Sequence, residues 1–151
     1  MLWLQKFFQK PLDVYTDGSL KFGRGSWAFV VVDRNKTVLE KFGTAKKTTC
    51  NRMEFQAVIE VLRVLPRNRV LKIHTDSRVL LEALANIPAW KEQGWVKKNS
   101  APIPSVDQMI LLEQLLHARH VKWQWVKAHS GIPFNERCDE LCFLARKGPT
   151  D

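Results

Sequence analysis

The chain is short of acid. Only 15 aspartates and glutamates stand against 24 lysines and arginines in 151 residues, a formal net charge of +9. It also lacks the marks of a secreted, membrane-bound or repetitive protein. Its three cysteines, Cys50, Cys138 and Cys142, form no Cys-x-x-Cys pair, which argues against a disulfide framework or a thiolate metal site. Cys138 and Cys142 lie four apart on one face of an expected helix and read as packed thiols. No apolar run is long enough to cross a bilayer, and Met1 to Phe8 is too short and too interrupted for a signal peptide. There is no internal repeat and no low-complexity tract. What remains has the length of one domain, with an ordinary apolar share of 45%. Residues 1–11 are expected to form an N-terminal extension and residues 12–151 the folded domain, monomeric and cytoplasmic.

A basic excess of this size favours a polyanionic partner. Against it stand four acids, each in a short motif of its own. They are Asp17 in Tyr15-Thr16-Asp17-Gly18-Ser19, Glu54 in Asn51-Arg52-Met53-Glu54, Asp76 in His74-Thr75-Asp76-Ser77, and Asp139 in Asn135-Glu136-Arg137-Cys138-Asp139-Glu140-Leu141. Taken singly each has an ordinary reading: a turn, a helix-entry charge, a first-turn acid beside the helix dipole, a solvated position. Taken together they describe a carboxylate cluster, which repels itself unless cations sit in it, and hard divalent metals prefer oxygen ligands.

The pattern along the chain predicts an α/β fold. Leu12 to Asp17 reads as a strand ended by Gly18-Ser19. Trp27 to Val32 is a continuous apolar run, as in a strand buried on both faces. Asp33 to Lys36 signals a turn, and Thr37 to Thr44 reads as the returning strand. Phe55, Val58, Ile59, Leu62 and Leu65 recur at helical spacing before Pro66, which puts Glu54 in the first turns of a helix. Val70 to Asp76 is the next strand, and Ser77 caps a short helix over Arg78 to Ala85. Residues 86–104 mix tryptophans with lysines and prolines. A helix from Ser105, a strand over Val121 to Trp125 and a helix over Pro133 to Lys147 follow. A meander followed by alternating units implies a mixed sheet covered by helices. Asp17 and Asp76 then stand at strand ends, where sites form in open α/β sheets.

These motifs, with Trp123-Gln124-Trp125-Val126-Lys127-Ala128-His129-Ser130-Gly131, occur in an order that resembles type 1 ribonuclease H, from about Leu12 to Arg146. The resemblance implies a ribonuclease H-like fold, a five-stranded mixed sheet flanked by helices. It implies an endonuclease that hydrolyses the RNA strand of RNA/DNA hybrids by a two-metal-ion mechanism, leaving 5′-phosphate and 3′-hydroxyl ends. The metal ligands would be Asp17, Glu54, Asp76 and Asp139, and the ions magnesium (Mg2+) or manganese (Mn2+). His129 matches a loop histidine that assists proton movement or product release. His74, His117 and His120 lack such a context and read as surface or structural.

The resemblance also implies the substrate surface. Trp90, Trp95, Lys97 and Lys98 match a basic handle, about residues 86–104, that grips the DNA strand, a task suited to aromatic and cationic groups. Lys47 and Thr49 match a phosphate pocket, and Asn51 a contact in the minor groove, where the 2′-hydroxyl of RNA is displayed. The chain departs from the family at three points. Leu20-Lys21-Phe22-Gly23-Arg24-Gly25 is compressed and lacks an asparagine, with Lys21 or Arg24 as an electrostatic substitute. Cys50 replaces an asparagine and is the poorer hydrogen-bond partner. Arg78 replaces a glutamine, exchanging a groove contact for a phosphate contact. A silent hybrid-binding module would be expected to lose a carboxylate. Other nucleases and strand-transfer enzymes of the superfold share the acids without these contexts, and a piece of a retroelement polyprotein is the remaining alternative.

Overall fold

The computed structural model describes residues 10–148; most of the expected extension, residues 1–9, and the last three residues lie outside them. Five strands form one mixed sheet in the order β3-β2-β1-β4-β5. β1 (Leu12–Lys21), β2 (Arg24–Asp33) and β3 (Lys36–Lys46) are the antiparallel meander. β4 (Leu71–Thr75) and β5 (Val121–Trp125) add to it in parallel. α1 (Cys50–Val64), α2 (Arg78–Glu92) and α3 (Val106–Leu116) cover one face, and α4 (Pro133–Arg146) covers the other. Among the described residues no helix is long and apolar enough to cross a membrane.

The apolar run of β2 is buried on both sides. Phe29 and Val31 join Val14, Val58, Ile59, Ile73, Leu80 and Leu112 in the larger core, while Ala28, Val30 and Val32 meet Cys138, Leu141 and Cys142 of α4. Both α4 thiols are buried, as the helical spacing predicts. α1 begins where Thr49 Oγ1 accepts from the Arg52 amide at 3.1 Å, relieving one of the orphan donors of a helix start. Its far end is closed by Arg119, whose guanidinium donates to the carbonyls of Leu62, Leu65 and Pro66. Arg52 forms a two-pronged pair with Asp107, at 2.9 and 2.8 Å, that ties α1 to α3.

Two expectations fail for stated reasons. β1 does not end at Asp17: it runs on to Lys21, with Gly18 paired to Trp27 in mid-strand. Gly18 is there for close approach, since a Cβ on it would lie 2.3 Å from the Glu54 amide nitrogen. The helix from Arg78 does not stop at Ala85 but continues through Pro88 to Glu92. Proline removes one helical hydrogen bond. Here Ile87 is buried and Trp90 rests on the same core three residues on, so apolar burial outweighs the missing bond. The first third of the expected handle is therefore helix, closed by Gln93 and a left-handed Gly94.

Candidate active site

Gly18 brings β1 and α1 together, and with them Asp17 and Glu54. Asp76 follows the end of β4, the strand parallel to β1 on its other side. One carboxylate oxygen from each of Asp17, Glu54 and Asp76 lies within 4.8 Å of the others. Asp17 is 7% exposed and Glu54 6%, and Glu54 Oε2 is buried without a hydrogen-bond partner. Burial of three acids at this spacing disfavours their charged forms. Asp17 is pushed up to about 7, by burial first and then by the charges of Asp76 and Asp139; its bond from the Gly18 amide, at 2.9 Å, pulls the other way. Glu54 is raised well above the usual carboxylate range by burial and by Asp17 and Asp76. Asp76 is raised by burial, against the opposing charge of His129.

The structure thus joins three of the four expected ligands. Asp139 is exposed on α4 and stands outside the triad, while its charge still reaches Asp17 and Asp76. His129 is exposed on the loop between β5 and α4, in left-handed backbone, as is Gly131 two residues on. Three neighbours were not singled out from the sequence. Asn135 is 4% exposed in the first turn of α4, and its side-chain amide favours the charged form of Asp76. Trp125 Nε1 donates to the Asp76 carbonyl at 3.3 Å. Arg146 faces Ser19 from the last turn of α4 and draws Asp17 down. Asn135 and Trp125 sit inside motifs already recognised, which was the available signal; Arg146 carried none.

A groove of about 570 Å³ opens between the start of α1 and the handle. It gathers Thr49, Asn51, Trp90 and Lys97 with Ser105. Lys47 borders a second hollow of about 340 Å³, with Lys46, Thr48 and Gln108. Trp90 and Trp95 both rest partly buried on the core. Lys98 is exposed and lines neither hollow. Arg78 stacks over the Trp125 ring at 4.3 Å. Cys50 is exposed at the head of α1, its thiol 3.7 Å from the Gly18 carbonyl. His74, expected to be surface or structural, is buried, stacked on Tyr15 and bonded to Asp13 at 2.9 Å.

Residues 9–147 match the family described as RNase H. The chain belongs to the ribonuclease H family. Its ribonuclease H relatives include that of Cupriavidus necator, 39% identical over 135 residues, covering 87% of this chain and 92% of that protein. That of Hahella chejuensis is 36% identical over 141 residues, covering 91% and 95%. Among solved structures, LC9-RNase H1, described as a type 1 RNase H with the type 2 active-site motif, superposes with a TM-score of 0.80 at 27% identity, covering 95% of this chain and 75% of that one. RNase H1 from Halobacterium salinarum shares the fold, with a TM-score of 0.68 at 18% identity, covering 93% of this chain and all of that one. The resemblance read from the five motifs therefore holds, and so does the fold class. The ribonuclease H fold explains the placement of the acids: β1, β4 and α1 deliver them to one point, and the protein is a hydrolase of that type.

Proposed function

We propose that this ribonuclease H hydrolyses the RNA strand of RNA/DNA hybrids at the carboxylate cluster, leaving 5′-phosphate and 3′-hydroxyl ends. The observation that carries the reading is the triad itself: three mostly buried carboxylates within 4.8 Å of one another, one with an unpartnered oxygen. An unpaired buried carboxylate oxygen is costly, and an all-oxygen donor set suits a hard divalent ion. Asp17, Glu54 and Asp76 would hold magnesium or manganese, with Asp139 as a fourth ligand. Two such ions supply activation of the attacking water and stabilisation of the leaving oxygen.

The chain's own groups do the rest. The Gly18 amide fixes the Asp17 carboxylate, and Asn135 opposes the upward push of burial on Asp76. His129 stands free in solvent with its charge felt at Asp76, suited to passing a proton to the departing 3′ oxygen. Thr49, Asn51, Trp90 and Lys97 line the groove that would receive the DNA strand, with Lys47 and Lys98 as flanking phosphate contacts. Trp95 supports the handle from its place on the core. Arg78, stacked on Trp125 two residues beyond Asp76, would present a guanidinium to the backbone near the scissile phosphate. Residues 12–151 would act as a monomeric catalytic domain in the cytoplasm, away from membranes.

The test is cleavage of an end-labelled RNA strand paired with DNA, beside RNA/RNA and DNA/DNA duplexes, in magnesium, manganese and EDTA. Cutting of the hybrid's RNA alone, abolished by EDTA, is expected. Folded protein that leaves the hybrid intact in both metals would sink the reading.

A further inference from the structure

Along β1 beyond the carboxylates, the sheet ends in a feature that neither the fold nor the metal site requires. The ladders place Lys21 opposite Arg24 and Arg24 opposite Lys46. Paired residues point to the same face, so three cations form one row across three strands, roughly 5 Å apart. The face is that of Asp17 and Ser19, which alternate with Gly18 and Leu20 along β1. It is the face covered by α4, opposite to the one on which the handle tryptophans rest. Arg146 stands behind the row, donating to Ser19 Oγ at 2.7 Å and Ser26 Oγ at 3.0 Å. Among the described residues none of Lys21, Arg24, Lys46 and Arg146 has an acidic partner at ion-pair distance. Like charges placed opposite one another weaken a ladder, so folding alone does not favour this row.

The tip of the same hairpin is equally unsuited to a structural role. Phe22 and Gly23 make the two-residue turn, both in left-handed backbone, with φ 52° and 75°. Glycine enters that region freely, whereas another residue there gives up about 1–2 kcal/mol. Phe22 nonetheless has a relative exposure of 105%, so its ring packs on nothing that would repay the strain. At the base of the hairpin Gly25 lies so close to Thr48 that a Cβ would come within 2.3 Å of its methyl. The hairpin therefore adjoins the segment leading into α1, whose first turn lines the groove. A bare aromatic among unpaired cations suits a partner that offers both phosphates and apolar sugar and base surface, which a nucleic acid does and an acidic peptide does not.

We infer that this sheet end is a second grip on the nucleic acid, separate from the handle: Lys21, Arg24 and Lys46 bind phosphates of the hybrid on the α4 side of the active site, and Phe22 enters its wide minor groove against the sugars. Five residues of extended chain separate Asp17 from Phe22, a span of about 16 Å. At 3.4 Å per step this puts the aromatic contact about five base pairs from the scissile phosphate. The inference rests on the hybrid-cleavage reading above.

The test uses two hybrids with the same short RNA tract, one with duplex extended only to its 5′ side and one only to its 3′ side. The triple variant Lys21→Ala, Arg24→Ala, Lys46→Ala is expected to raise KM about tenfold on one of them and to lower the slope of log KM against log salt by about 2 to 3, near one per lost phosphate contact. Its kcat stays level and its thermal midpoint does not fall, because repulsion has been removed. Phe22→Asn, which suits left-handed backbone, is expected to raise the thermal midpoint while raising KM on that same substrate. A purely structural residue would not move these in opposite senses. Unchanged KM and salt slope on both hybrids, or an equal loss on both, would overturn the second grip while cleavage by the unaltered protein upheld the hybrid reading. No cleavage by the unaltered protein would overturn both.

Discussion

Gly18 packs against the backbone of Glu54, so that the strand carrying one carboxylate and the helix carrying another meet without a side chain between them. A Cβ at Gly18 would come within 2.3 Å of the Glu54 nitrogen and 2.5 Å of the Met53 carbonyl carbon. Both are backbone atoms, so relief requires α1 to move. Gly18→Ala is expected to destabilise the protein by about 1–3 kcal/mol, as overpacking does. It should also reduce hybrid cleavage far more than unfolding explains, because Glu54 moves with α1. Urea unfolding and a cleavage assay on the same preparation check this; full activity would show that the spacing of the acids is not critical.

Removing one acid should relieve the other two. Asp76→Asn is expected to abolish cleavage and to raise the thermal midpoint of metal-free protein, since Asp76 is among the causes that raise both Asp17 and Glu54. Calorimetry in EDTA beside the cleavage assay decides it. A lowered midpoint would mean that Asp76 is held by favourable contacts that outweigh the repulsion.

The same repulsion gives metal-free protein a defined pH dependence. Asp17 titrates near 3.8 in an unfolded chain and at about 7 in the fold. A carboxyl whose folded pKa is raised lends its stability below its unfolded pKa and loses it as the pH rises towards the folded one. The thermal midpoint in EDTA should therefore fall between about pH 4 and pH 7. Magnesium or manganese binds the charged form, so the shift produced by either should grow across the same window. A midpoint that is flat there, or rises, contradicts the assignment.

Asn135 acts on Asp76 in the opposite sense to burial. Asn135→Ala removes a group that favours the charged carboxylate, and is expected to move the acidic limb of the kcat/KM profile to higher pH. A general loss of activity at all pH values, with no shift of the limb, would leave Asn135 a packing residue only.

The two handle lysines should not contribute equally. Lys97 lines the groove with Trp90, whereas Lys98 lines neither hollow. Lys97→Ala is expected to account for most of the rise in KM and most of the lost salt dependence of the double variant, with kcat nearly intact. Steady-state kinetics over a salt series separates the two; equal effects would point to a diffuse field rather than a lined groove.

The sequence by itself determined the order of strands and helices, the family and the four acids. Those rest on local signals: the apolar run from Trp27 to Val32, the helical spacing of Phe55 to Leu65, the capping residue Ser77, and motifs whose residue types are dictated by their chemistry. Where sequence reasoning failed, the outcome depended on contacts between distant segments. Gly18 reads as a strand stop and is a point of close approach to Glu54; the helix expected to end at Ala85 runs on through Pro88, carried by the burial of Ile87 and Trp90. That three acids, two of them buried, form a tight triad with Asp139 at its rim is likewise a matter of how α1 and α4 dock on the sheet. So is the row of Lys21, Arg24 and Lys46, which lie up to 25 positions apart and meet only because cross-strand register brings them together. Local propensity is written residue by residue, but register and docking are fixed by the burial of whole faces, and only the folded chain has those.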